Sequence, residues 1–156
     1  MTTPRSPVYF ACGSRTLEGH PGWVTGQIER WITGWVDPRS ILMTGGAQGA
    51  DILSEAVAIR RGFRTMTFEA SGYFHTSTGT ERAQWAGADF WGADPKVRPL
   101  MRNTFMADRL EGFVKAGAIV EAMALVDPWS TTGGTWHMIR ELEKRGIHVK
   151  ISKNGP

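Results

Sequence analysis

Apolar residues along this chain of 156 residues recur in two ways: as short continuous runs, and at spacings of three and four. The runs read as buried strands and the spaced positions as helices. Residues 8–11 (VYFA) form the first run, which stops at Cys12-Gly13-Ser14, a strand entering a turn. Apolar positions 24, 28, 31, 32 and 35 predict a helix over 23–35, ended at Asp37-Pro38 because the residue before a proline disfavours helix. Residues 41–43 predict a second strand that runs into the glycines of GGAQGAD. Leu53, Ala56 and Val57 mark the inner face of a helix over 49–61, with Gly62 as its C-terminal stop. A third strand over 64–68 is less apolar, which predicts a place nearer the sheet edge. Pro99 fits the first turn of a helix running to 114. Residues 121–126 predict a fourth strand, 135–145 a helix stopped by Gly146, and 147–151 a last strand.

The pattern breaks between 69 and 97. There Gly, Ser, Thr and Asp are interleaved with Tyr73, Phe74, Trp85, Phe90 and Trp91. The stretch predicts a long loop, with a helical turn near 81–85, that serves either as a lid over a flat ligand or as an aromatic clamp onto the domain.

The order β-α-β-α-β-loop-α-β-α-β predicts an α/β domain spanning residues 1–156, with a mainly parallel sheet of about five strands and helices on both faces. Such sheets bind ligands at the carboxyl ends of their strands, where the strand order reverses. Three turns follow a strand and precede a helix: CGSR (12–15), GGAQGAD (45–51) and STTGGT (130–135). All three fall on one sheet edge and offer backbone N–H groups at helix starts, an arrangement suited to phosphate. The second turn lacks the Lys-Ser/Thr ending of a P-loop and the glycine spacing of the dinucleotide fingerprint.

Charge adds little direction. A net charge of +3 and a pI near 9.4 admit an anionic ligand. They do not demand nucleic acid, because the basic residues are spread along the chain. The single cysteine, Cys12, excludes an internal disulfide and points to a reducing, cytoplasmic setting. No apolar stretch approaches the roughly 18 residues of a membrane span, and MTTPRSPVYF has no signal-peptide core. His20, His75, His137 and His148 are scattered without metal-ligand spacing, so no resident metal is expected. Mg²⁺ bridging a ligand's phosphates through Asp51 or Asp127 stays open. The seven tryptophans, among them Trp23, Trp31 and Trp35 on the first helix, point to a homo-oligomer interface or to core.

A strand ending in CGSR, a strand ending in TGGAQGAD, a helix opening RPLMRN and a strand–loop–helix with STTGGTWHMI together resemble the SLOG superfamily across residues 8–151. That superfamily groups DNA-processing proteins of the Smf/DprA type with the LOG-type, lysine-decarboxylase-like phosphoribohydrolases. The resemblance is nearest to its small single-domain branch related to YspA and YpsA. It implies a Rossmann-like, three-layer αβα sandwich that binds nucleotides or nucleotide-derived ligands. It further implies a pocket lined by Gly13, Ser14 and Arg15, by Gly45, Gly46, Gly49 and Asp51, by Arg102 and Asn103, and by Gly133, Gly134 and Thr135. The LOG-type enzymes carry PGGxGTxxE, whose Glu is linked to cleavage of the base–ribose bond. Here the position three beyond Thr135 is Met138, and Glu141 lies six beyond. The extra domains of the DNA-processing proteins are lacking.

The single residues keep alternatives. Arg15 can clamp a phosphate or pair with a surface acid. Arg98, Arg102 and Arg109 share a stripe of one helix, and Arg102 lies nearest its start, where the dipole favours an anion. Asp51 can meet a ribose hydroxyl, act as a base, or brace its turn. Glu55, one turn later, can act with it; these two are the catalytic candidates if the chain is an enzyme, with Glu121 a further acid or base to weigh. Cys12 is a nucleophile or a buried thiol. His75 is a general acid or base, a stacking group, or solvent-exposed; His137 is helix surface. Two readings lead: a sensor or sequestering protein for an ADP-ribose-like or cyclic nucleotide signal, and a hydrolase of a nucleotide or N-glycosidic bond. Single-stranded DNA binding is not favoured, since no basic aromatic stripe is visible.

Overall fold

The computed structural model describes residues 6–79, 82–129 and 133–154. Among the described residues one mixed sheet of seven strands carries five α-helices. In chain order these are β1 (Val8–Gly13), α1 (Pro21–Ile32), β2 (Ile41–Thr44), α2 (Ala50–Arg60), β3 (Arg64–Phe68), β4 (Tyr73–Thr76), β5 (Ala83–Gln84), α3 (Ala88–Trp91), α4 (Arg98–Lys115), β6 (Val120–Val126), α5 (Gly134–Lys144) and β7 (Val149–Lys153). The sheet order is β5-β4-β3-β2-β1-β6-β7.

The five strands expected from the apolar runs form the parallel part, β3-β2-β1-β6-β7. The expected total and the mainly parallel character need correction. Residues 69–97 add β4 and β5, both antiparallel, so β3 lies inside the sheet and not near its edge. Residue 81 lies outside the described residues; 83 and 84 are strand, where a helical turn was expected.

β1 is buried on both faces, which is why it reads as a continuous apolar run. Val8, Phe10 and Cys12 join one core with Met106, Ala107 and Leu110 of α4 and Met138, Ile139 and Leu142 of α5. Tyr9 and Ala11 join the other with Val24, Ile28 and Ile32 of α1 and Val57 and Ala58 of α2. The helices therefore lie on both sheet faces, α1 and α2 against one and α4 and α5 against the other. Trp35, 6% exposed, stacks on Tyr9 at 3.9 Å, and Trp31 meets both rings edge-on. Trp35 is core, and Trp31 is half-buried against it.

The aromatics of 69–97 clamp that segment to the domain. Phe74 stacks on Phe68, Trp85 packs against Phe105 at 4.8 Å, and the Trp85 indole N–H donates to the Glu69 carbonyl at 2.8 Å. Gly72, at φ 95°, leaves room for Trp91, because a Cβ there would stand 2.5 Å from its ring. His75 pairs with Glu69 at 3.1 Å. Among the described residues no helix is long and apolar enough to cross a membrane.

Candidate functional site

The chain fills one side of β1 with β2 and β3, then returns to the other side with β6 and β7. Strand order thus reverses between β1 and β6, and a crevice opens beyond their carboxyl ends. Hydrogen bonds tie the two strand ends together. Ser14 N donates to the Leu125 carbonyl at 3.0 Å, Asp127 N donates to Ser14 Oγ at 3.3 Å, and Thr16 Oγ1 donates to Asp127 Oδ2 at 3.2 Å.

The GGAQGAD turn is closed by its own acid. Gly45 N and Ala47 N both donate to Asp51 Oδ2, at 3.2 and 3.1 Å, and Gly46 N donates to Thr44 Oγ1 at 3.2 Å. The Gly45, Gly46 and Ala47 amides, expected to face a phosphate, are taken within the turn, and of the roles open to Asp51 bracing is the one its contacts define. Glu55 accepts from Thr44 and from Thr67, the latter at 2.6 Å. It faces threonines while Asp51 faces amides, and the charge of Glu55 adds to the upward shift of Asp51. Gly46 and Gly49, at φ 67° and 89°, make the turn possible and do not line the cavity.

Burial pushes the Asp51 carboxyl up to about 6, against the pull of the nearby Arg102 guanidinium. Arg102 itself is pushed down by burial. Its Nη1 donates to the Gly45 carbonyl at 2.7 Å, and its buried Nε has no hydrogen-bond partner. Gly45 has to be a glycine for this contact, because a Cβ would stand 2.8 Å from the Arg102 Cζ. Cys12 lines the cavity, but burial, with Asp51 adding, pushes its thiol far up and keeps it protonated.

Residues 130–132 lie outside the described residues, so the third turn is described from Gly133 onward. Asn103, 4% exposed, donates from Nδ2 to the Gly134 carbonyl at 3.0 Å and lies 3.3 Å from His137 Nδ1. With Asn103 donating, Nδ1 accepts and the ring hydrogen sits on Nε2, which faces Glu141 Oε1 at 3.4 Å. Burial pushes His137 down, favouring the neutral ring. Glu141 in turn takes Arg145 at 2.8 Å, and Arg145 takes Asp108 at 2.8 Å. This chain of contacts seats the start of α5 against α4. Asn103→Ala is expected to lower stability by about 1–2 kcal/mol, the loss of a buried donor to a fixed carbonyl. Thermal denaturation measures it, and an unchanged melting temperature would remove Asn103 from this role.

The three turns and the start of α4 enclose a cavity of about 630 Å³. Gly13, Ser14, Arg15, Gly45, Asp51, Arg102, Asn103, Gly133, Gly134 and Thr135 line it as expected; Gly46, Gly49 and Glu55 do not. Sequence reasoning missed Lys96 and Arg140 and took His137 for helix surface, although all three line the cavity. The available signal was the i, i+3 spacing of His137 and Arg140 on a helix that opens at a glycine turn. Arg98 is not part of the site: it donates to the Phe90 and Trp91 carbonyls, while Arg109 lies over Phe113 at 5.8 Å. Tyr73, Phe74, Trp85 and Trp91 do not line the cavity either.

Four cations, Arg15, Lys96, Arg102 and Arg140, therefore surround a cavity whose one lining carboxylate is Asp51. Among the described residues no group of three or more His, Cys, Asp or Glu side chains gathers to hold a metal. Asp51 and Asp127, the carboxylates available to a ligand's Mg²⁺, are both engaged by N–H or O–H donors. Models of known protein families and curated protein sequences yield no match to this chain.

Proposed function

We propose that the protein binds a nucleotide or nucleotide-derived anion in this cavity and holds it without cleaving it, as a sensor or sequestering protein. One observation carries the reading. Arg15, Lys96 and Arg140 reach the cavity with side chains that form no ion pair among the described residues, beside the amide-bearing start of α5. Unpaired cations at a helix N-terminus favour a phosphate. The crevice at the reversal of strand order supports the Rossmann-like frame that the SLOG resemblance implies.

Holding is favoured over cleavage by what the cavity lacks. Asp51 Oδ2 already accepts two amides, and the position three beyond Thr135 is Met138, a core residue 1% exposed. The hydrolase is the second reading, and one observation favours it. A cavity carboxyl held near 6 has the affinity for protons that general acid–base work needs.

The test is thermal denaturation with AMP, ADP-ribose and a cyclic nucleotide, each across a salt series. At least one should raise the melting temperature, less so as salt increases. Arg15→Gln should weaken that ligand about tenfold, the worth of one charge-assisted contact. If no member of the panel stabilises the protein, the reading is wrong.

A further inference from the structure

The cavity lining offers cations to a phosphate and little to a base. Among the described residues its one aromatic ring is His137, whose two nitrogens are engaged by Asn103 and Glu141. The most exposed aromatic side chain among the described residues is Trp129, at 89%. It stands beyond the carboxyl end of β6, on the connection that reaches the cavity again at Gly133. Four residues of chain span at most about 14 Å, which bounds its distance from the Gly133 backbone. Hydrogen bonds fix its other side. The Trp129 N–H donates to Asp127 Oδ1 at 3.0 Å, and Thr16 Oγ1 donates to Asp127 Oδ2 at 3.2 Å. The Asp127 N–H donates to Ser14 Oγ at 3.3 Å. Asp127 thus ties the Trp129 backbone to residues 14–16, where Ser14 and Arg15 line the cavity. Trp129 is held to the rim from both directions, by these bonds on the Arg15 side and by chain length to the start of α5. Trp91, the next most exposed ring, packs against Gly72 and Tyr73 and does not line the cavity.

An indole presents a flat apolar face, and bases stack on such faces whatever their sequence identity, because every base has a π-face. We infer that Trp129 stacks on the base of the bound nucleotide while Arg15 and the start of α5 take its phosphate. The cations then select for the charge of the ligand, and the indole selects for a flat aromatic group attached to it. Together they favour nucleotides over sugar phosphates. The inference rests on the nucleotide-binding reading of the same cavity and deepens it to the residue that recognises the base.

Calorimetric titration of the whole chain tests it. The ligands are AMP and ADP-ribose, which carry adenine, and ribose 5-phosphate, which does not. The proteins are the wild type, Trp129→Phe and Trp129→Ala. The side chain is exposed, so both variants should melt within about 2 °C of wild type. Trp129→Ala should weaken an adenine ligand about tenfold, and Trp129→Phe, which keeps an aromatic face, should weaken it much less. Ribose 5-phosphate should bind wild type about tenfold or more weakly than that ligand, and neither substitution should change its affinity. Fluorescence gives a readout that a structural role would not move. The difference between the wild-type and Trp129→Phe emission spectra should be quenched by the adenine ligand and left alone by ribose 5-phosphate. An adenine ligand bound equally by wild type and Trp129→Ala overturns the stacking and leaves nucleotide binding intact. So does a Trp129→Ala variant that weakens ribose 5-phosphate as much as the adenine ligand. Binding of neither adenine ligand overturns both.

Discussion

Gly13→Ala is expected to lower the melting temperature by about 10 °C. A Cβ at position 13 would stand 2.3 Å from the Ala50 Cβ and 2.9 Å from the Leu125 carbonyl oxygen. Neither neighbour can rotate away, because one is fixed to the first turn of α2 and the other is backbone of β6. Relief requires α2 or β6 to shift, an overpacking penalty of about 3 kcal/mol. In a domain of this size each kcal/mol moves the melting temperature by roughly 3 °C. Gly134→Ala is the control, since a Cβ there meets nothing within 4 Å. It should leave the melting temperature within about 2 °C of wild type, an exposed helix start being tolerant of such a change. Equal behaviour of the two variants would show that the approach of α2 to β1 is not tight.

Asp51→Ala should cost about 3–5 kcal/mol, as much as breaking a buried ion pair from one side. It leaves the Gly45 and Ala47 amides without their acceptor and the Arg102 guanidinium without its neighbouring charge. Asp51→Asn should cost less, because an amide oxygen in the same place still accepts both N–H groups. The two variants also separate hydrogen bonding from charge through pH. The folded protein raises the Asp51 carboxyl from 3.8 to about 6, so it binds that proton more tightly than the unfolded chain does. The stabilisation is therefore fully present below about pH 4 and is lost as pH rises through about 6. At about 1.4 kcal/mol for each pH unit, wild type should lose about 3 kcal/mol relative to Asp51→Asn across that window, then run parallel to it. Asp37 and Glu141, whose carboxyls are held down by Arg39 and Arg145, titrate in the opposite sense. They do so in both proteins and cancel in the difference. Chemical denaturation at a series of pH values measures it, and parallel curves throughout would mean that Asp51 is not buried as a charge.

The parallel core was legible because burial on both faces writes a strand as an unbroken apolar run. VYFA and AMALV are such runs, and both belong to strands with a neighbour on each side. β4 and β5 were not legible for the converse reason. All four residues of β4 are half-buried and both residues of β5 are exposed, so no period appears. These strands exist because the edge of β3 offers hydrogen bonds and Trp85 and Phe74 pin the hairpin to the domain. At the site, the three turns and Arg102 could be read from the chain, as could the absence of a glutamate three beyond Thr135. What could not be read was where the GGAQGAD amides point, since that depends on Asp51 turning back onto its own loop. Lys96 and Arg140 were hidden for a related reason. An exposed cation is ordinary by itself, and it gains meaning from the cavity it lines, which only the folded chain assembles.

The central claim is that the cavity holds its ligand and does not change it. Incubating the protein with nucleoside phosphates and ADP-ribose, isolating the complex, releasing the ligand by heat and analysing it by chromatography tests that claim directly. The account predicts that a ligand bound by wild type is recovered intact, with Asp51→Asn behaving the same way. Recovery of a free base or a lost phosphate, abolished by Asp51→Asn, would contradict it and make Asp51 a catalytic residue.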